Sequence, residues 1–199
     1  MVGILGGVGS GKSSVVRQVT TLRLHIIDAD RIGHDVLLRQ DISAQLRAAF
    51  GDSIFTDDQV DRSRLAGLVF GESETHTTNR TTLNDIVHPA IRQEIHRQIQ
   101  TAAMDLDAVI LDAALLLEGN WDAHCDWLIF VDTPTEIRIQ RVIDNRGWTA
   151  EELHRRESSQ TSIAVKRDRA DFVVDNSGSL ESAARQMTEI LESVTRSSC

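Results

Sequence analysis

The stretch Gly6-Gly7-Val8-Gly9-Ser10-Gly11-Lys12-Ser13, directly after the apolar run Val2 to Leu5, constrains this chain more than any other part of it. Two glycines five apart, then Lys, then Ser, is the spacing of a phosphate-binding loop between a strand and a helix. Glycines allow turns with positive φ, so successive backbone N–H groups face inward and cradle phosphate oxygens. Lys12 supplies a point charge for the β- and γ-phosphates, and the Ser13 hydroxyl suits Mg²⁺. A helix starting near Lys12 adds its positive end to the same anion site. Gly7, Gly9, Ser10, Gly11, Lys12, Ser13 and Ser14 are therefore the expected nucleotide-binding residues. Lys is otherwise scarce: of 21 Lys and Arg residues, only Lys12 and Lys166 are lysine.

Further along, short apolar runs at Leu24–Ile27, Ala108–Leu111, Trp127–Val131 and Phe172–Val174 alternate with helical periodicity. That alternation predicts an α/β fold with a parallel five-stranded sheet flanked by helices, and ligands at the carboxyl ends of its strands. Between residues 31 and 88 helical spacing prevails, with strand character only around Ile54-Phe55, so a mostly helical insert is expected. The polar, Thr-rich run from Gly71 to Thr82 reads as a loop, and Pro89 as the first residue of a helix carrying Ile91, Ile95 and Ile99. Helices are also expected over 13–21, from Pro134, within 149–169 and over 180–194. At 199 residues the chain forms one domain. Its core comprises 1–30, 89–140 and 170–199, with a helical lobe over about 31–88 and a lid over about 141–169.

Three strands end in aspartate. Asp28 and Asp30 follow the second, Asp112 the third and Asp132 the fourth. Phosphoryl transfer asks for one carboxylate to accept a hydroxyl proton and another to hold Mg²⁺ directly or through water. Asp30 is the expected base, because strand alternation puts it on the side of Asp28 and deeper in the cleft; Asp112 joins Ser13 as the metal candidate. A strand-end Asp also caps helices and loops, which is the rival reading. Arg138, Arg141, Arg146, Arg155, Arg156, Lys166, Arg167 and Arg169 form a basic stretch from which a closing lid could stabilise developing charge, with Arg141 singled out. Glu151, Glu152 and Glu157 offer the alternative of local ion pairs on a solvated face.

The net charge of −9 argues against a nucleic-acid surface. No apolar run reaches the ~20 residues of a membrane span, and Cys125 and Cys199 give neither a disulfide framework nor metal spacing. A cytoplasmic location is expected, with no nucleic-acid or membrane partner. His88, before Pro89, stands without companions that would complete a metal set. Asp-x-x-Gly occurs three times, but no Asn-Lys-x-Asp guanine motif accompanies it, which demotes a GTPase switch.

With these residues in view, the chain resembles the dephospho-coenzyme A kinases. The likeness runs through Gly6–Ser13, Ile27-Asp28-Ala29-Asp30, Phe50-Gly51, Asp61-Arg62, Val69-Phe70 and His88-Pro89. It continues through Asp112 with Leu115-Leu116 and Glu118, Val131-Asp132, Arg141, Gln160, Lys166 with Ala170-Asp171, and Asp175-Asn176-x-Gly178. The resemblance implies a nucleoside-monophosphate-kinase-like fold with a helical coenzyme A lobe and a lid. It also implies Mg²⁺-ATP as donor and the ribose 3′-hydroxyl of dephospho-CoA as acceptor. On that scheme Asp30 is the general base, Arg141 a lid residue near ATP, and Asn176 part of the loop near adenine. Leu5 replaces a usual Thr, Ala114 a usual Pro and Arg23 a usual Gly, and the customary Pro-Gly is missing around Leu38–Asp41. Two rivals remain on the residues alone: another small-metabolite or nucleotide kinase of this fold, and a non-catalytic nucleotide-binding regulator.

Overall fold

The computed structural model describes residues 1–71, 73–102 and 105–196; Cys199 lies outside them. The described elements in chain order are β1 (Val2–Gly6), α1 (Lys12–Arg17), β2 (Leu24–Asp28), α2 (Ala29–Leu37), α3 (Gln40–Phe50), β3 (Phe55–Thr56), β4 (Gln59–Val60), α4 (Arg62–Val69) and α5 (Glu74–Thr101). They continue with β5 (Ala108–Asp112), β6 (Trp127–Asp132), α6 (Thr135–Arg146), α7 (Ala150–Ser158), α8 (Ile163–Asp168), β7 (Phe172–Asp175) and α9 (Leu180–Arg196). Two compact units result: Met1–Asp28 with the chain from Ala102 onward, and Ala29–Thr101.

The first unit is built on the expected parallel sheet, in the order β2-β5-β1-β6-β7. Its strands are apolar on both faces because helices cover both, as parallel sheets require. On one face Val2, Ile4, Ile110, Ile129, Val131 and Val174 pack with Val15, Val16 and Val19 around α1 and with Ala183, Met187, Leu191 and Val194 of α9. Alternation turns Leu5, Leu111 and Phe130 the other way, and these too are buried. All five strands run the same way, so their carboxyl ends, Gly6, Asp28, Asp112, Asp132 and Asp175, lie along one edge. Register sets Asp28 beside Asp112 and Asp132 beside Asp175.

The second unit gathers α2, α3 and α4 on α5. Ile32, Val36, Ile42, Leu46, Leu65, Val69, Val87, Ala90 and Ile95 are its buried positions on these helices. The Ile54-Phe55 signal becomes a two-stranded antiparallel hairpin, closed by Asp57 and Asp58 with φ of 49° and 60°. Two successive positive φ angles match the hairpin twist, and aspartate tolerates them better than most residues.

Two expectations fail here, for one reason. From Glu74 to Thr82 the Thr-rich run is helix rather than loop, and Pro89 does not open a helix: both stretches lie within the 28 residues of α5, while position 72 is outside the described residues. The hydroxyls of Thr78, Thr81 and Thr82 donate to the carbonyls of Glu74, Thr77 and Thr78, each at 3.1 Å. Bonding to the carbonyl four residues back satisfies the hydroxyl inside a helix instead of competing with it. The Asn79 amide also donates to the Leu68 carbonyl at 3.0 Å, anchoring this first stretch of α5 to α4. Pro89 is tolerated mid-helix although it has no N–H for the Asp85 carbonyl. Proline is about 3 kcal/mol less favourable than alanine inside a helix. Pro89→Ala should therefore raise the unfolding free energy measured in urea, by up to that amount; an unchanged or lower value would mean that α5 needs the distortion.

Candidate active site

The loop after β1 is shaped by its backbone, and the shape is held from behind. Gly9 and Gly11 have φ of 76° and 81°, the left-handed region that glycine enters without strain. A Cβ on Gly11 would stand 3.0 Å from the Asn176 side-chain amide and 3.2 Å from the Arg141 guanidinium. Between these glycines, Ser10 is 1% exposed. Its carbonyl accepts from the Thr133 hydroxyl at 2.9 Å, the Asn176 amide at 2.8 Å and Arg141 at 3.2 Å. Those donors come from the turn after β6, the turn after β7 and α6. Arg141 also reaches the Asn176 carbonyl at 3.3 Å, and the Asn176 N–H donates to the Asp132 carbonyl at 2.8 Å. Asn176 Oδ1 and Ser10 Oγ are buried without a hydrogen-bond partner.

The entry half of the loop is held through Val8. Its N–H donates to Glu157 of α7 and its carbonyl accepts from Arg138 of α6, both at 3.1 Å. Arg138 is 2% exposed and also donates to Glu157, to the Thr133 carbonyl at 3.1 Å and to the Thr135 hydroxyl at 3.0 Å. A buried guanidinium with four of its five N–H donors on four separate acceptors is a firm brace. Arg138 had only its place in the basic stretch to recommend it; its spacing one helical turn before Arg141 was the available signal. Nothing in the sequence marked Thr133, and Glu157 was marked only as a local ion-pair partner on a charged helix.

The strand-end carboxylates have separate roles. Asp112 accepts a short hydrogen bond from the Ser13 hydroxyl, so the two metal candidates meet at the foot of the loop. Asp132 is held by Arg167. Asp175 accepts from the Ser177 N–H at 2.8 Å, which is the loop-capping role. Asp28 lies 4.0 Å from Arg17. Asp30 does not extend β2 by alternation, since the chain turns into α2 at Ala29; it is an exposed residue of the first turn of that helix, in the second unit. Ser14 is exposed on α1, two residues past Lys12. Among the described residues no group of three His, Cys, Asp or Glu side chains is placed to hold a metal.

Much of the basic stretch is locally paired. Arg155 and Arg156 bond Glu152, Arg169 bonds Asp122 at 3.2 Å, and Arg146 and Arg156 lie over the Trp148 ring. Elsewhere, burial pushes the His88 imidazole below its ordinary value, reinforced by Arg92 and opposed by Asp85. Burial likewise pushes the Cys125 thiol up to about 11, leaving it a protonated, inert side chain. No described helix is long and apolar enough to cross a membrane.

Comparison with known proteins agrees with this geometry. The family model described as dephospho-CoA kinase matches residues 1–182. The chain is 37% identical to a dephospho-CoA kinase of Latilactobacillus sakei, covering 99% of this chain and 96% of that one. It is 35% identical to one of Thermobifida fusca, covering 98% and 96%. A solved Thermus thermophilus structure superposes with a TM-score of 0.83 at 29% identity, over 97% of this chain and 96% of that one.

The brace at Val8 has a measurable cost of removal. Arg138→Met leaves Glu157 without its buried counter-charge, and breaking such a pair costs about 3–5 kcal/mol. Urea unfolding should show a loss on that scale, with Arg138→Lys recovering only part because an ammonium lacks the planar fork. A loss below about 1 kcal/mol would place the pair in solvent-like surroundings.

Proposed function

As a member of the dephospho-CoA kinase family, the chain phosphorylates dephospho-CoA to coenzyme A with ATP as co-substrate, and we propose that Lys12, Asp30, Asp112 and Arg141 divide that chemistry among them. The observation that carries the reading is the Ser13–Asp112 hydrogen bond beside the positive-φ glycines. It puts a hard pair of oxygen ligands next to a backbone cradle whose shape admits no side chain at Gly11.

In this scheme the N–H groups of Gly7, Gly9, Ser10, Gly11, Lys12, Ser13 and Ser14 orient the triphosphate, and Lys12 takes charge that develops on the moving phosphoryl group. Ser13 and Asp112 would hold Mg²⁺, which when bound neutralises phosphate charge. Asn176 serves the nucleotide by fixing the Ser10 carbonyl. Arg141, tied to the same carbonyl, keeps the cradle rigid and presents its remaining donors toward nucleotide oxygens. The helical lobe over about 31–88, which falls within the unit Ala29–Thr101, is assigned to the acceptor, and residues 141–169 are assigned as the lid.

Asp30 is assigned the proton of the ribose 3′-hydroxyl. Chain connectivity supports the choice: two residues span at most about 7 Å, and Asp28 is the register partner of Asp112. The hydroxyl oxygen attacks the γ-phosphorus, the bond to the bridging oxygen of ADP breaks, and the hydroxyl proton passes to the Asp30 carboxylate.

Two outcomes test the assignment. Lys12→Ala should fold normally and lose roughly 10²–10³ in kcat, the usual effect of removing one oriented donor; retention of more than about a tenth of turnover would refute the role of the loop lysine. Asp30→Asn should bind ATP normally by calorimetry yet lose roughly 10²–10⁴ in transfer, the range for general-base assistance. A 3′-deoxy analogue of dephospho-CoA should act as a competitive inhibitor without turnover. An active Asp30→Asn enzyme would move the base to Asp28, and faster turnover of a nucleoside monophosphate or sugar would overturn the acceptor.

A further inference from the structure

One buried charge has no place in this scheme. Lys166 of α8 is 2% exposed, and its ammonium, with three donors to satisfy, is 2.8 Å from Gln160 Oε1 and 4.0 Å from Glu118 Oε1. Glu118 makes only a long ion pair with it and accepts from the Thr161 N–H, while Glu157 is engaged by Arg138 and Val8. Burial pushes the Lys166 ammonium below its ordinary value; Glu118 opposes this, and the charge of Lys12 adds to the fall, so the two lysines lie within each other's field.

The surroundings indicate what would relieve that strain of charge. Lys166 lines a cavity of about 290 Å³ together with Gly7 of the phosphate loop, Gln160, Thr161, Ser162, Ile163 and Glu157, whose carboxylate is already neutralised by Arg138. A buried cation is costly unless an opposite charge meets it, and a second cation nearby raises the cost. A multiply charged anion entering beside Gly7 reverses both terms. Residue choice points the same way. Lys12 and Lys166 are the only lysines in a chain that uses arginine at every other such position, and lysine is the compact point charge among the two cations.

We propose that Lys166 is a second phosphate-binding cation of the active site, donating to the non-bridging oxygens of the γ-phosphoryl group of the nucleoside triphosphate. It donates hydrogen bonds throughout transfer, and no covalent bond to it forms or breaks. The inference rests on the kinase reading above.

Lys166→Met, which keeps the length and apolar stem of the side chain, should reduce kcat by roughly 10²-fold. It should also weaken a non-hydrolysable ATP analogue by about tenfold while leaving ADP within about twofold, as expected for loss of a charged contact to the terminal phosphate alone. A lysine that merely neutralised Glu118 would behave differently. Adding Glu118→Gln would then remove the stranded carboxylate and restore turnover; under the proposal the double variant regains thermal stability but not kcat. Recovery of kcat in the double variant, or normal kcat in Lys166→Met, overturns the assignment. A second measurement needs no stable variant at Lys166 and no acceptor. With ¹³Cε-lysine the full-length protein gives two lysine signals, assigned through Lys12→Arg. The ATP analogue should shift the Lys166 signal and ADP should leave it in place. Movement of Lys12 alone overturns the proposal. Wild-type protein that ignores dephospho-CoA would overturn the acceptor reading, and the lysine titration would still decide the role of Lys166.

Discussion

The carbonyl of Ser10 is the point on which the site depends. A phosphate cradle made of backbone N–H groups needs chain segments with positive φ and no side chains, and such a segment has little packing of its own. Buried backbone oxygens must find donors. Here Thr133, Asn176 and Arg141 supply them to one atom, from three separate elements. The loop therefore inherits its rigidity from β6, β7 and α6. Arg138 and Glu157 repeat the device at Val8, one on each polar group of the same residue. Preorganisation of this kind lets oriented dipoles act on phosphate charge without first reorganising.

Parallel strands place several aspartates along a single edge, and their neighbours then separate the roles. Asp112 faces a hydroxyl, Asp132 an arginine, and Asp175 a backbone N–H. Only the first arrangement pairs a carboxylate with another hard oxygen ligand, the pairing on which the magnesium site proposed above rests. The other two are structural uses of the same residue type. The acidic residue assigned to proton transfer lies just beyond β2, on a helix that begins without an intervening loop.

Charge economy also separates the two lysines from the many arginines. Arginine's planar fork suits the bracing work seen at Arg138 and Arg141, where one side chain serves several carbonyls at fixed angles. A phosphoryl group in flight changes shape, and a compact ammonium follows it without a preferred plane. The basic stretch looked uniform as letters, yet its members divide into braces, surface pairs and one buried ammonium.

How much of this was legible in the residues themselves depends on whether the signal is local. Gly6–Ser13 carries its own geometry, because only glycine fits Gly9 and Gly11, and strand-turn-helix connectivity follows from the apolar runs around it. The five strands and their shared direction, though not their order in the sheet, were readable for the same reason: burial on both faces leaves an apolar run that no solvated segment shows. The family, too, was legible, since its motifs are ordered along the chain. The Thr-rich start of α5 misled because a hydroxyl's preference for loop or helix turns on whether tertiary contacts, here Asn79 to Leu68, hold the helix in place. Thr133 carried no mark at all, and Arg138 and Glu157 stood out only as members of a charged stretch. Their partners are backbone atoms more than a hundred residues away, or a charge on another helix, and only the folded chain brings a buried donor to the acceptor that needs it.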